Sequence, residues 1–299
     1  MNGTFLAVVN PAAGGGRCRK LVAPALERLR AGGINVKVAE TSAPGQAAEI
    51  VREAYAEGFR KFIAVGGDGT SYEIVNGLFP AVHAQRATLA FLPLGTGNSF
   101  LRDFSDKGVD FAIDALLANR SRPCDVLRLT HETGVLHYIN LLSMGFSADV
   151  ATLRARRFSG WGEVGYQSSI FISLARFRRR PFPLRVDGER ELDRRPCLFL
   201  TFSNSKFTGG TMMIAPKAEV DDGLIEYVRW GPIGRLALIR NLPTLYDGTH
   251  INHPLAERRQ AKRVDFVLDA PVDVMVDGEV LTLRCQSLDV LPSALNVVV

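Results

Sequence analysis

Paired cysteines are missing from this chain: Cys18, Cys124, Cys197 and Cys285 lie far apart, with no CxxC spacing among them. Thiols so placed read as reduced cysteines of a cytoplasmic protein, and they exclude a disulfide framework. No run of about 18 apolar residues occurs, so no membrane-spanning helix is expected. The N-terminus enters an apolar stretch at Phe5 without a basic segment and apolar run before it, so no secretory leader is expected. A GxxxxGK string followed by Ser or Thr is absent, which excludes a P-loop, and Gly95-Thr96-Gly97-Asn98-Ser99-Phe100 fails the GxGxxG pattern at its last position. His83, His131 and His137 form no catalytic constellation. His250 and His253 lack a third ligand and read as exposed loop residues rather than a zinc site. Internal repeats and low-complexity tracts are also missing.

What is present is an ordinary globular composition, 46% hydrophobic and 22% charged. A chain of 299 residues is long for one domain, so two are expected. The net charge of +5 suits an acidic ligand or an anionic membrane surface.

The first 124 residues alternate strand and helix patterns. Apolar stretches at 5–9, 34–39, 62–65 and 88–92 are followed by helical patterns over 18–31, from Thr41-Ser42 and Pro44 to about Glu57, over 71–79 and over 109–118. That alternation predicts a parallel sheet with right-handed crossovers. After residue 124 the texture changes to short alternating stretches, such as Val126–Leu129, Tyr138–Leu142, Cys197–Phe202 and Val272–Val276. Asp187-Gly188, Asp222-Gly223 and Asp277-Gly278 separate them, which predicts a mostly antiparallel β domain. Helical patterns near 162–178 and 232–246 interrupt it.

Three glycine turns end strands of the first half: Asn10-Pro11-Ala12-Ala13-Gly14-Gly15-Gly16-Arg17, Gly66-Gly67-Asp68-Gly69-Thr70, and Pro93-Leu94-Gly95-Thr96-Gly97-Asn98-Ser99. Open α/β sheets bind ligands at the carboxyl ends of their strands. Glycine there lets backbone approach a ligand closely, and the amides of a following helix favour an anion. Asp68 beside a phosphate makes sense with a cation between them. A lone GGxG is only a tight turn; three such turns at strand ends point to one phosphate-binding cleft. Val276-Asp277-Gly278-Glu279, taken locally, reads as a surface hairpin turn.

Together, NPAAGGGR at 10–17, GGDGT at 66–70, PLGTGNSF at 93–100, Asp222-Gly223-Leu224 and DGE at 277–279 resemble the diacylglycerol-kinase catalytic-domain family of lipid kinases. That family includes bacterial diacylglycerol kinases and the sphingosine and ceramide kinases. The resemblance spans nearly the whole chain. GGDGT alone is shared with NAD kinases and phosphofructokinase-like folds; the first turn, the third turn and the late DGE narrow it.

The resemblance implies an ATP-dependent kinase with Mg²⁺ that phosphorylates a lipid hydroxyl, diacylglycerol-like or sphingoid. It implies a nucleotide-binding α/β domain (1–124, NAD-kinase/phosphofructokinase-like) and an antiparallel β lipid-substrate domain (125–299), whose last dozen residues return to the first. By position, Asn10, Pro11, Ala12, Ala13 and Gly14 form the nucleotide-phosphate loop, with Arg17 as a phosphate contact and Thr41 touching the nucleotide. Gly66, Gly67, Asp68, Gly69 and Thr70 hold the phosphates, Asp68 through Mg²⁺, while Thr96 and Asn98 approach from the third turn. Glu279 corresponds to the general base, with Asp277 beside it. Asp222, with Glu219 and Leu224 around it, corresponds to a structural Mg²⁺ site; the local alternative is a plain DG turn. Many bacterial members carry an aspartate where this chain has Ser99. Sphingosine and ceramide kinases have a small residue there, so Ser99 leaves the kinase reading intact and loosens the assignment to diacylglycerol. Asp103, one helical turn on, could stand in for that aspartate, against the alternative, which the sequence favours, of an ordinary exposed helix residue.

Arg154, Arg156 and Arg157 with Phe158 and Trp161, then Phe171 to Phe182 with Arg176, Arg178, Arg179 and Arg180, mix cations with large apolar groups. That segment is a candidate for peripheral docking on an anionic membrane, against the alternative of a solvated basic face. Nucleic acid is not expected, and a homodimer is left open. Two rival functions stand beside the lipid kinase: a soluble-substrate kinase of the NAD-kinase type, and a non-catalytic nucleotide-binding regulatory protein on the same scaffold.

Overall fold

Apolar runs with no polar alternation need cover on both faces, and the first half of the chain supplies it. The computed structural model describes residues 3–82, 85–157 and 179–299, with backbone alone at 147 and 154–157. In chain order the first half runs β1 (Phe5–Val9), α1 (Arg17–Ala31), β2 (Val36–Glu40), α2 (Gln46–Ala56), β3 (Lys61–Gly66), α3 (Asp68–Leu78), β4 (Thr88–Pro93) and α4 (Gly108–Leu117). The strands pair in parallel in the order β2-β1-β3-β4. Val8, Ile63, Val65 and Leu92 of the strands are buried with Leu26, Leu29, Val51, Ile74 and Ile113 of the helices. Helix α3 begins at Asp68, two residues before the start expected at Thr70, so Asp68 occupies the helix's first turn.

The second half runs β5 (Ser121–His131), β6 (Gly134–Tyr138), β7 (Leu141–Gly145), α5 (Phe146–Arg157), β8 (Leu184–Val186), β9 (Phe199–Ser203), β10 (Ile225–Trp230), α6 (Arg235–Asn241), α7 (Thr244–Asp247), β11 (Ala256–Ala261), β12 (Arg263–Phe266), β13 (Val272–Val276), β14 (Glu279–Leu283) and β15 (Cys285–Val298), with four two-residue strands besides. Six of these strands form an antiparallel sheet in the order β11-β10-β9-β7-β13-β14. The others extend the first sheet: β15 pairs antiparallel with β5 and β12, and its end, Asn296–Val298, pairs in parallel with Thr88–Ala90 of β4. The two sheets enclose a second core of Leu127, Tyr138, Met144, Phe202, Tyr227, Val264, Val276 and Leu288.

Three details depart from the sequence reading. The stretch Tyr138–Leu142 is cut into β6 and β7, because the amides of Ile139, Asn140 and Leu141 donate to the Asp277 carboxylate. The helical pattern at 232–246 splits into α6 and α7, since Pro243 has no N–H to extend the helix. His250 is buried, not exposed, with its ring nitrogens against the carbonyls of Thr244 and Ile214. The pattern at 162–178 lies outside the described residues. All four cysteines are buried free thiols, and no described helix is long and apolar enough to cross a membrane.

Candidate active site

The three glycine turns meet through their backbones. Gly95 N–H donates to Gly66 O at 2.8 Å, and Asp68 N–H donates to Gly97 O at 2.9 Å. A Cβ on Gly95 would lie 2.7 Å from Gly67 N, and one on Gly67 would lie 2.7 Å from Gly97 O, so the second and third turns touch only because both are glycine-built. Gly14 packs on the third turn, where a Cβ would stand 3.0 Å from Leu94 O, and Gly14, Gly15 and Gly16 are all left-handed. The side chains mostly build the loops. Asn10 Oδ1 accepts Ala12 N–H, Asn98 Nδ2 donates to Gly95 O, and Thr41 Oγ1 donates to Val9 O. Thr70 is buried against Gly66, while Thr96 and Arg17 stay exposed, with Pro11 and Ala13 half-buried.

The opposite wall comes from more than two hundred residues later. Asp277 and Gly278, both at positive φ (47° and 91°), form the two-residue turn of the β13–β14 hairpin. The hairpin reading therefore holds, and Gly278 and Glu279 are exposed, but the Asp277 side chain is not on the surface: Asp277 is 2% exposed. A Cβ on Gly278 would lie 3.8 Å from Asp68 Cβ, and a Cβ on Gly69 would collide with Glu279 Oε1. Glu279 thus rests its carboxylate on the GGDGT glycine that leaves room for it.

Charge accumulates here. Burial pushes Asp277 up to about 7, and the Asp68 charge adds to this against the three amides that lower it. Desolvation also raises Asp68, opposed mainly by Ser99. Glu279 is exposed, yet desolvation followed by the Glu73 charge raises it too. Among the described residues no lysine or arginine pairs with Asp68, Asp277 or Glu279. The buried Asp277 and half-buried Asp68, close together and without a partner cation, concentrate negative charge at the cleft, although no group of three or more His, Cys, Asp or Glu among the described residues could hold a metal ion there.

Ser99 is 2% exposed. Its N–H donates to both Asp68 oxygens (2.9 and 3.0 Å), and its Oγ accepts Gly210 N–H at 3.0 Å. Asp103 corrects the sequence reading: it is buried in a 3₁₀ turn and accepts Lys206 N–H at 2.9 Å, with burial raising it to about 6. The loop after β9 therefore ties the third turn to the second half of the chain.

Asp222, Glu219 and Leu224 are not brought to this cleft. Asp222 Oδ1 accepts Leu224 N–H, and Oδ2 accepts from Gln260. The buried Asp125 joins that turn to β15 by accepting from Gly223 and Ser293 at 2.6 Å each. The crowding of Asp125, Glu219 and Asp221 raises Asp222, after its own desolvation. The charge suits a cation, but no cluster of three or more His, Cys, Asp or Glu among the described residues could hold one.

The sequence reading missed Tyr72 and Glu73. Glu73 accepts Gly45 N–H (2.8 Å) and Ala47 N–H (3.1 Å), capping α2 from α3. Tyr72 is pushed up to about 12, by burial and then by Asp277, Glu279 and Glu73. Their place directly after GGDGT on a helix was the available signal.

Residues 4–129 match the diacylglycerol kinase catalytic domain, and residues 140–299 the YegS C-terminal NAD kinase beta sandwich-like domain. A protein of Pseudomonas aeruginosa PAO1 named "Probable lipid kinase YegS-like" is 31% identical over 284 residues, covering 92% of this chain and 88% of that protein. A Mycobacterium tuberculosis H37Rv protein named "Diacylglycerol kinase" is 26% identical over 300 residues, covering 99% of this chain and 94% of its own. The crystal structure of a diacylglycerol kinase from Bacillus anthracis str. Sterne aligns with a TM-score of 0.72 at 20% identity, over 99% of this chain and 96% of that one, a likeness of fold.

Proposed function

Since the chain belongs to the diacylglycerol-kinase catalytic-domain family of lipid kinases, we propose that it transfers the γ-phosphoryl group of ATP to a lipid hydroxyl, diacylglycerol-like or sphingoid. The observation that carries this reading is Glu279 seated against Gly69, with Asp277-Gly278 against Asp68. One cleft thereby faces phosphates on its glycine wall and an acceptor hydroxyl on its carboxylate wall.

In this reading the backbone of Asn10–Gly14, Gly66–Thr70 and Gly95–Asn98 cradles the nucleotide, with Arg17, Thr41 and Thr96 reaching it. The lipid oxygen attacks the γ-phosphorus, the bond to the β,γ-bridging oxygen breaks, ADP leaves, and the hydroxyl proton passes to Glu279. Phosphoryl transfer asks the protein for position and charge more than for covalent help. Mg²⁺, when bound, would neutralise phosphate charge, and Asp68 with Asp277 is the pair suited to hold it. Ser99 keeps Asp68 in place through its N–H. A raised Glu279 matters for pH: the base must be ionised, so turnover should fall at a pH above the ordinary glutamate range as the medium is acidified. The structural cation that the resemblance implies at the Asp222 turn would need ligands beyond the described carboxylates. Metal titration with Asp222→Asn as control tests it.

The deciding experiment incubates the protein with labelled ATP, Mg²⁺ and a panel of detergent-dispersed lipids, with NAD as the soluble acceptor. Label in a lipid supports the reading. Label in NAD alone would replace it with a soluble-substrate kinase, and nucleotide binding without turnover with a regulatory role.

A further inference from the structure

The seven-residue helix α6 (Arg235–Asn241) buries one face and leaves the other bare. Leu238 is buried in the core that also holds Phe146, Phe199, Trp230 and Leu245. Leu236, two positions earlier, is 84% exposed, and Ile239 is 49% exposed. Tyr246 of α7 and Leu255, just before β11, are exposed as well. Isolated exposed apolar residues are unremarkable. Here, however, cations frame them: Arg235 and Arg240 lie on the same short helix, both exposed. The Arg179 guanidinium lies 3.9 Å from the Cβ position of Gly234, at the helix start. An open cavity of about 570 Å³ is lined there by Arg179, Gly234, Arg235, Leu236 and Ala237. No ion pair joins these three arginines to a described residue, and the Asp247 carboxylate of α7 accepts from Thr249 instead.

We propose that this face of α6, with Leu236 and Ile239 as apolar anchors and Arg179, Arg235 and Arg240 as cations, docks the protein on an anionic lipid surface. Its size decides between occupants. A stable protein partner needs roughly 800 Å² per side with a packed apolar centre, more than one face of two helical turns offers. An interfacial helix needs only a few large apolar side chains entering the headgroup boundary, with cations drawn to anionic lipid. The surface also connects to the cleft. Helix α7 packs on the core that takes in Met212, and Gly248, which closes it, sits against Met213. That chain segment leads back through Gly210 to Ser99 and Asp68. The proposed membrane face and the glycine wall of the cleft are thus joined through one chain segment. The segment singled out in the sequence for this role lies mostly outside the described residues; Arg179, at its described end, belongs to the face proposed here. The inference depends on the lipid-kinase reading for its purpose, not for the binding itself.

The test is co-sedimentation of the full chain with vesicles of phosphatidylcholine, with and without phosphatidylglycerol, in the absence of ATP. Wild type should bind the anionic vesicles and lose binding as salt rises. Leu236→Glu/Ile239→Glu and, separately, Arg235→Glu/Arg240→Glu should each lower partitioning by at least about tenfold. Both variants alter exposed side chains, and unchanged melting temperature and unchanged turnover on detergent-dispersed lipid would show that fold and chemistry are intact. Vesicle binding equal to wild type in both variants would overturn the proposal, as would absence of wild-type binding. A wild-type dimer in light scattering that either variant turns into a monomer would also overturn it, because the face would then be an interface between copies. Failure of the kinase reading would appear only in the dispersed-lipid turnover of the wild type.

Discussion

Two Asp-Gly turns in this protein have nearly the same backbone and opposite surroundings. Asp187-Gly188 and Asp277-Gly278 both take two successive positive φ angles, 47° and 74° in the first, 47° and 91° in the second. Both aspartates gather backbone amides: Asp187 accepts from Lys262 and Arg263, Asp277 from Ile139, Asn140 and Leu141. Yet Asp187 is exposed, whereas Asp277 is buried beside Asp68 and carries Glu279 to Gly69. Turn chemistry is a local property. What makes one turn part of a cleft is the sheet that delivers it: β13 pairs with β7, and β15 carries the chain back to β4.

The sharpest way to break this comparison is to alter the carboxylate that the late turn carries to Gly69 and, as a control, the one at the exposed turn. Glu279→Gln should lower kcat by at least ~100-fold with near-normal nucleotide binding, since only the proton acceptor is lost. Asp187→Asn should leave kcat unchanged and shift stability by less than about 1 kcal/mol. Steady-state kinetics and nucleotide titration on folded proteins read both. Equal activity of the two variants would return the late turn to a plain hairpin.

Next in size is Asp68→Asn. Asp68 sits on the glycine wall, so its loss should weaken Mg²⁺-dependent nucleotide binding as well as kcat, each by about 10- to 100-fold. Isothermal titration with and without Mg²⁺ checks it. Unchanged binding would mean that Asp68 serves only to anchor the Ser99 amide.

The glycine wall was legible in the sequence because its job is done by backbone. Gly66, Gly67, Gly95 and Gly97 leave a local mark, glycine clustered at strand ends. The parallel pairing of the strands followed from the alternation of apolar runs and helical patterns, whereas their order, β2-β1-β3-β4, did not. The acidic wall left a mark only in combination with a family pattern, because Asp277 and Glu279 match an ordinary hairpin signal. Asp103 was misread because its burial comes from Lys206, far away in sequence, and His250 because its shell comes from Ile214 and Thr244. The return of β15 to β4 has no local signal at all; it is a matter of which sheet edge is left unpaired.

A smaller effect should appear in stability against pH. Asp277 has a folded pKa near 7, above the ordinary carboxyl value of about 3.9, so the folded state holds the proton more tightly. Its contribution is therefore most favourable below about pH 4 and is lost as pH rises towards 7, at up to about 1.4 kcal/mol per unit. Asp103, raised to about 6, adds a shorter slope of the same sign. Melting temperatures should fall between about pH 4 and 7 in the ligand-free protein, and Asp277→Asn should flatten that fall where Asp187→Asn should not.

The central claim is that the glycine wall and the carboxylate wall act as one site through the contact of Glu279 with Gly69. A double-mutant cycle measures it directly. Gly69→Ala puts a methyl where the Glu279 carboxylate lies, and displacing that carboxylate should lower kcat by about 10- to 100-fold. In the Glu279→Gln background little proton-accepting function is left to lose, so Gly69→Ala should cost almost nothing further. Costs that simply add, with nucleotide affinity falling in step, would show that Gly69 matters only to the phosphate loop and that the two walls do not work together.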